Sequence, residues 1–175
     1  MSTSTNYTPR HRAIKQSAAR QWKRAAALGA TVPAAVSAAV TVGAPVQAAS
    51  QHRIHNALET ARNQKGEEYQ YGGDGPSSFD CSGLIQYAYG KSEIRMPRTS
   101  DAQADRVKRI AREDMRKGDL MFYYDSGGVY HVGIFGGWNG EKRRYVLHAA
   151  NEGDDVTSEL NWTGNWFAGT MRGHH

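Results

Sequence analysis

From His52 to Asn63 the apolar residues recur as Ile54, Leu58 and Ala61, close to the helical period, so an amphipathic helix is expected there. His52 and His55 lie one turn apart on it, and with no third ligand nearby they read as a solvated face rather than a metal pair. The stretch Tyr71-Gly72-Gly73-Asp74-Gly75-Pro76-Ser77-Ser78 is made of turn formers and predicts no regular structure. It runs into Phe79-Asp80-Cys81-Ser82-Gly83-Leu84-Ile85-Gln86-Tyr87-Ala88-Tyr89-Gly90, where Leu84, Ile85, Ala88 and Tyr89 form a helical stripe and Gly90 is the expected stop. Pro97 and the Thr99/Ser100 pair precede a second short helix over Asp101–Val107, capped by Thr99 or Ser100. After Lys117-Gly118-Asp119 the period changes. Leu120–Tyr124, Val129–Phe135 and Tyr145–Ala149 are aliphatic and aromatic runs between Gly/Asn/Asp turns, and Trp166 to Arg172 forms a further candidate. The links are too short for helical crossovers, so these strands pair antiparallel. Helices first and strands after predict an α+β domain with helices packed on one face of the sheet.

The first 49 residues follow a different pattern. A basic stretch ends at Arg24, a charge-free Ala/Val-rich run follows to about Val46, and small residues stand at Ala44, Ala48 and Ala49. That order predicts a secretory signal peptide over residues 1–49, cleaved after Ala48 or Ala49, leaving residues 50–175 as the body of the protein. The alternative, a retained membrane anchor, is weakened by Gly29, Pro33, Ser37 and Gly43 within the apolar run. Its length is more like the leaders of Gram-positive bacteria, so an exported bacterial protein is expected, secreted or, if the family resemblance given below holds, associated with the cell wall. His174-His175 at the chain end carry no ligand pattern.

Charge then changes the picture in one respect. The 22 Lys and Arg against 17 Asp and Glu make the chain basic. Six of the basic residues lie in the leader, however, which leaves 22 − 6 = 16 against 17 in residues 50–175. The body therefore has no electrostatic footprint for a phosphate backbone, and no nucleic-acid partner is expected. Hydrophobic residues at 39% suit a chain with one modest core.

Cys81 is the single cysteine. With no internal disulfide available to it in an exported chain, it is either an inert buried residue or a reactive thiol. A thiol becomes a good nucleophile when a helix N-terminus or an imidazole favours its thiolate, and the sequence offers both. The backbone N–H groups of that helix start could also hold an oxyanion. His131 and His148, both in predicted strands, are the candidate bases. His131 shares a face with Gly133 and Phe135, and the glycine is expected to clear space for the approach of the Cys81 helix. If the strands are neighbours, His148 can hold the ring of His131 in the useful tautomer.

The blocks Tyr69-Gln70-Tyr71-Gly72-Gly73, Phe79-Asp80-Cys81-Ser82-Gly83-Leu84, Pro97-Arg98-Thr99-Ser100, Lys117-Gly118-Asp119-Leu120, His131-Val132-Gly133-Ile134 and Leu147-His148-Ala149 occur in that order. Together, over about Ala57 to Arg172, they closely resemble the NlpC/P60 cysteine peptidases of bacterial cell walls. The resemblance implies a papain-like fold and hydrolysis of peptidoglycan stem peptides, usually between the γ-carboxyl of D-glutamate and a diamino acid. By position it makes Cys81 the nucleophile, His131 the general base and later acid, and His148 the orienting third residue. Tyr69 resembles the tyrosine beside the nucleophile, and Asp80, Ser82 and Arg98 resemble residues of the substrate cleft, though Asp80 is equally well placed to be only a helix cap. No metal or organic cofactor is required by this chemistry, and a monomer without stable membrane insertion is expected. The segment from His131 to His148 is longer than the usual hairpin, which puts the register of His148 in question. The sequence contains no SH3-like or LysM repeat, so specificity is expected to come from the catalytic domain or a partner. Two alternatives stay open. A CHAP-like N-acetylmuramoyl-L-alanine amidase shares the Cys-then-His order, and a non-catalytic wall-binding module would keep the fold without turnover. Sequence does not separate remodelling of the cell's own wall from attack on other cells.

Overall fold

The computed structural model describes residues 44–173, so most of the leader and His174-His175 lie outside the described residues. Helix α1 (Ala44–Arg62) is followed by two two-residue strands, β1 (Glu68–Tyr69) and β2 (Ser78–Phe79), which pair in parallel. Then come α2 (Cys81–Lys91), α3 (Ser100–Arg106), β3 (Lys108–Ile110) and a 3-10 turn over Arg112–Asp114. The chain ends in β4 (Leu120–Asp125), β5 (Gly128–Trp138), β6 (Arg144–His148), β7 (Thr157–Leu160) and β8 (Trp166–Thr170). One antiparallel six-stranded sheet takes the order β3-β8-β4-β5-β6-β7. The expected boundary after Ala48 or Ala49 falls within α1.

Strand alternation sorts the core into two sides. Leu120, Phe122, Val132, Ile134 and Leu147 pack with Ile54, Leu58, Leu84, Ile85, Ala88 and Tyr89 of the helices. Met121, Tyr123, Phe135, Val146, Trp166 and Ala168 form a second cluster with Met115 and no helix residue. The helices thus cover one face, as the element order predicted. His52 and His55 are exposed, His52 near Asn56 and His55 near Glu59. Among the described residues no three His, Cys, Asp or Glu side chains gather closely enough to hold a metal ion, and no helix is long and apolar enough to cross a membrane.

Two local expectations need correction. Gly90 does not stop α2; the helix continues to Lys91 and ends at Ser92, whose N–H reaches back to the carbonyls of Tyr89 and Gly90. The left-handed turn falls on Glu93 (φ 61°) instead, and Ile94 N–H also bonds Tyr89 O. The glycine-rich run also holds some regular structure. Ser78 belongs to β2, and Asp74 bridges to Phe79, which folds the loop back over the start of α2.

Candidate active site

The start of α2 is fixed by Asp80. Its backbone is extended, and Oδ1 accepts the Gly83 N–H at 2.7 Å, the arrangement of a helix N-cap. Cys81 is therefore the first helical residue. Gly83 has to be glycine here, because a Cβ would lie 2.0 Å from the carbonyl oxygen of Gly73. That close approach clamps the Gly72-Gly73 loop onto the helix end, where Asp80 N–H also bonds Gly73 O at 2.9 Å. From α3, the buried amide of Gln103 braces the same turn by donating to the Ser82 and Pro97 carbonyls.

Asp80 is more than a cap. Arg98 donates to both of its oxygens, at 2.9 and 2.5 Å, and to Ser82 Oγ at 3.0 Å. Ser82 Oγ and Gly72 N–H complete the donors around the carboxylate. Burial works to raise the Asp80 pKa, but the Arg98 hydrogen bond and the Gly83 and Gly72 N–H groups outweigh it and hold it below the usual value. Asp80, Ser82 and Arg98 line a cavity of about 470 Å³ together with Tyr69, Tyr71, Cys81 and Tyr130.

On the other side of Cys81 lies a cavity of about 440 Å³ lined by Tyr69, Cys81, Tyr130, His131, His148, Asn151, Glu159 and Trp162. Cys81, Tyr69 and Tyr130 border both cavities, so Cys81 lies where the two adjoin. His131 Nε2 and His148 Nδ1 are 2.9 Å apart, and both rings are buried. Trp162 stacks on His148 with centroids 5.2 Å apart and on Tyr123 at 4.5 Å, closing that end of the pair.

The long hairpin keeps His148 in register through a bulge. Ile134 pairs with Leu147 and Phe135 with Val146, but Gly137 pairs with Tyr145 and Trp138 with Arg144, leaving Gly136 unmatched. The first pair of matches extends to place Gly133 beside His148, on the same side as His131. A one-residue slip would have turned His148 to the other side. Gly133 serves this contact rather than the one expected of it. A Cβ there would meet Val146 Cγ2 at 2.3 Å and His148 Cβ at 3.3 Å, so the glycine admits side chains of β6 and not the Cys81 helix.

Burial, not charge, dominates the electrostatics of this side. It pushes the Cys81 thiol up, against the backbone N–H groups of Val132 and Ser82, with the neighbouring Asp80 carboxylate adding to the rise. It also lowers His131 to about 3, helped by His148, and lowers His148 despite Glu159 and Asp154 nearby. Burial thus works against the thiolate that the helix N-terminus and the imidazole were expected to favour. Tyr69, between thiol and Asp80, is raised by burial and by both of those neighbours.

The profile of the NlpC/P60 family matches residues 66–172. The chain belongs to the NlpC/P60 family. Among curated relatives, the probable endopeptidase p60 of Listeria innocua is 44% identical over 84 residues, which is 48% of this chain and 18% of that protein. This chain thus spans less than a fifth of the length of that relative. Among solved structures, the peptidoglycan hydrolase RipB of Mycobacterium tuberculosis matches with a TM-score of 0.62 and 26% identity, over 71% of this chain and 67% of that one. RipD of the same organism, described as a non-catalytic NlpC/p60 domain protein adapted to peptidoglycan binding, matches with a TM-score of 0.58 and 25% identity over 68% and 97%. The α+β papain-like fold of NlpC/P60 proteins is therefore the fold of this chain.

The seven residues singled out in the sequence line the two adjoining cavities: Tyr69 and Cys81 border both, His131 and His148 one, and Asp80, Ser82 and Arg98 the other. Sequence reading missed Tyr130, Glu159 and Trp162. Tyr130 stands where β5 bulges, because Tyr123 pairs with His131 but Tyr124 with Val129. The other two belong to or follow β7, which carries no hydrophobic alternation.

Proposed function

We propose that this protein is a secreted cysteine peptidase that hydrolyses peptidoglycan stem peptides, at the bond between the γ-carboxyl of D-glutamate and a diamino acid. The observation that carries the reading is the shared cleft of Cys81, at the first turn of α2, and the paired His131 and His148. With Nε2 engaged by His148, His131 has Nδ1 left to act as base. As the carbonyl carbon approaches, the thiol proton passes to that nitrogen and sulfur attacks. Backbone N–H groups at the helix start and the Tyr69 hydroxyl then receive the oxyanion. His131 returns the proton to the departing amine, and an acyl-enzyme at Cys81 remains. Water, deprotonated by His131, releases the acid and restores the thiol. The fixed Arg98 guanidinium in the adjoining cavity suits an anionic part of the peptide. Export is supported by the order of basic, apolar and small residues in the first 49 positions.

Digestion of purified peptidoglycan with product masses tests this reading. Wild type is expected to shorten the stems, and Cys81→Ala to leave them whole while staying folded. Cleavage by the Cys81 variant would overturn the mechanism, and free glycan chains bearing no stems would favour an amidase. Stable wall binding without any cleavage would assign the protein to the class that RipD represents.

A further inference from the structure

We propose that Glu159 is a positioning residue that sets the proton order of the two histidines, as the outer end of a chain running Cys81–His131–His148–Glu159. The proposal rests on the reading of Cys81 and His131 as the reacting pair. For a neutral His131 to accept the thiol proton at Nδ1, its own proton must be on Nε2, which then donates to His148 Nδ1 across 2.9 Å. His148 must in turn carry its proton on Nε2. The opposite order, with His148 donating from Nδ1, would leave the proton of His131 on Nδ1 and remove the base. Nothing within the pair chooses between these two arrangements.

The choice is made beyond it. His148 Nε2 is buried and has no hydrogen-bond partner, and Glu159 Oε2 is 3.7 Å away. The pairing of Val146 with Glu159 and His148 with Thr157 sets Glu159 diagonally across from His148 on the same side of the sheet. A separation of 3.7 Å is longer than a formed hydrogen bond, but the Glu159 side chain is 54% exposed and has room to swing inward. Whether the last step is direct or through one water, the acceptor is the same carboxylate. No other group facing His148 makes a hydrogen bond to its Nε2. His131 on β5 is already bonded to Nδ1, Trp162 covers the ring face, and Asp154 in the loop before β7 is engaged by the Asn151 amide at 3.3 Å. Tyr69 and Tyr130 border the same cavity, whose lining holds no lysine or arginine. When His131 takes up the thiol proton, the Glu159 carboxylate is also the anion that faces the histidine pair.

The test is ring-nitrogen NMR of the full chain with ¹⁵N-labelled histidine, beside kcat/KM on a stem peptide. Wild type is expected to show both histidines protonated at Nε2. Glu159→Leu is expected to give mixed tautomers and a kcat lower by roughly 10–100-fold, with KM little changed. Glu159→Gln keeps a carbonyl acceptor, and is expected to restore the single tautomer and most of kcat. Unchanged tautomers in Glu159→Leu overturn the proposal, whether activity is kept or lost, because a loss would then come from substrate contact. Tautomers that mix with Leu and recover with Gln support it even if the wild type cleaves no peptidoglycan, so a failure of the functional reading is distinguished.

Discussion

Around Cys81 the two histidines on one side are sparsely bonded and disfavoured by burial in their charged form, while on the other side the polar groups are charged and paired. Toward β5 and β6, His131 and His148 share one hydrogen bond, sit against Tyr123 and Trp162, and are held neutral by burial. Toward α3, the Asp80 carboxylate receives Gly72, Gly83, Ser82 and Arg98, and its pKa falls. A group pinned by that many donors cannot change protonation near neutral pH, so it can hold geometry and fixed charge through a reaction cycle. A group with one partner has no set of donors fixing it, so a proton can pass through it without breaking a network, although burial makes the charged form costly. On the proposed reading, the two ends divide positioning from proton transfer, and Cys81 stands between them.

The largest effects should separate the two ends by what they do to turnover. His131→Gln removes the ring proposed to take the thiol proton, and is expected to lower kcat by about 10²–10⁴-fold with KM nearly unchanged. Arg98→Met, at the other end, should act mainly on KM for an anionic stem peptide. Steady-state kinetics on the same muropeptide decide between them. If Arg98→Met lowers kcat as much as His131→Gln, the division of labour is wrong.

Stability should divide in the opposite sense. Asp80→Ala removes a helix cap and leaves Arg98 without its anion, at a cost of about 2 kcal/mol after allowance for the partly exposed guanidinium. His131→Gln should cost less, since it relieves a desolvated ring. Urea midpoints of the two variants measure this. An Asp80→Ala variant as stable as wild type would mean that the charged end does not hold α2.

Acid resolves the two ends by pH window. His131 is held at about 3 against an ordinary 6.5, so across that interval the unfolded chain binds a proton that the folded chain refuses. Its contribution to stability is complete above pH 6.5 and is lost as pH falls through the interval. His148, also lowered, adds the same sign. Asp80 is lowered from 3.8, so its contribution holds down to that pH and is lost below it. Melting temperatures taken from pH 7.5 to 3 are expected to fall in two stages. His131→Gln should shrink the upper stage and Asp80→Asn the lower; a single stage moved equally by both would merge the ends that the comparison separates.

Much of this was legible in the chain, and the misses have a common cause. The cap at Asp80, the stripe of Leu84, Ile85, Ala88 and Tyr89, and the central strands β4, β5 and β6 bury enough side chains to print a period on the sequence. Strands β3 and β7 are the two edges of the sheet, mostly exposed or half-buried, and Lys-Arg-Ile and Thr-Ser-Glu-Leu show no alternation to read. Glu159 was hidden for that reason, as was Trp162 just beyond the strand. The burial of Cys81 was illegible for another reason: it depends on how deeply α2 is set against β5, and motif spacing does not carry depth.

The smallest effect is expected where the hairpin differs most in length. Gly136 has no partner in β6, and the matches on either side of it, Phe135 with Val146 and Gly137 with Tyr145, become consecutive if it is removed. Deleting Gly136 should therefore straighten the bulge without turning His148 away from His131. It forfeits the bond from Arg62 to the Gly136 carbonyl, at about 1 kcal/mol, and activity should stay within a few-fold of wild type. Ring-nitrogen NMR should still report the coupled histidine pair. A 100-fold loss of kcat with the fold intact would show that the bulge aims His148 directly, and that register alone is not what brings the two imidazoles together.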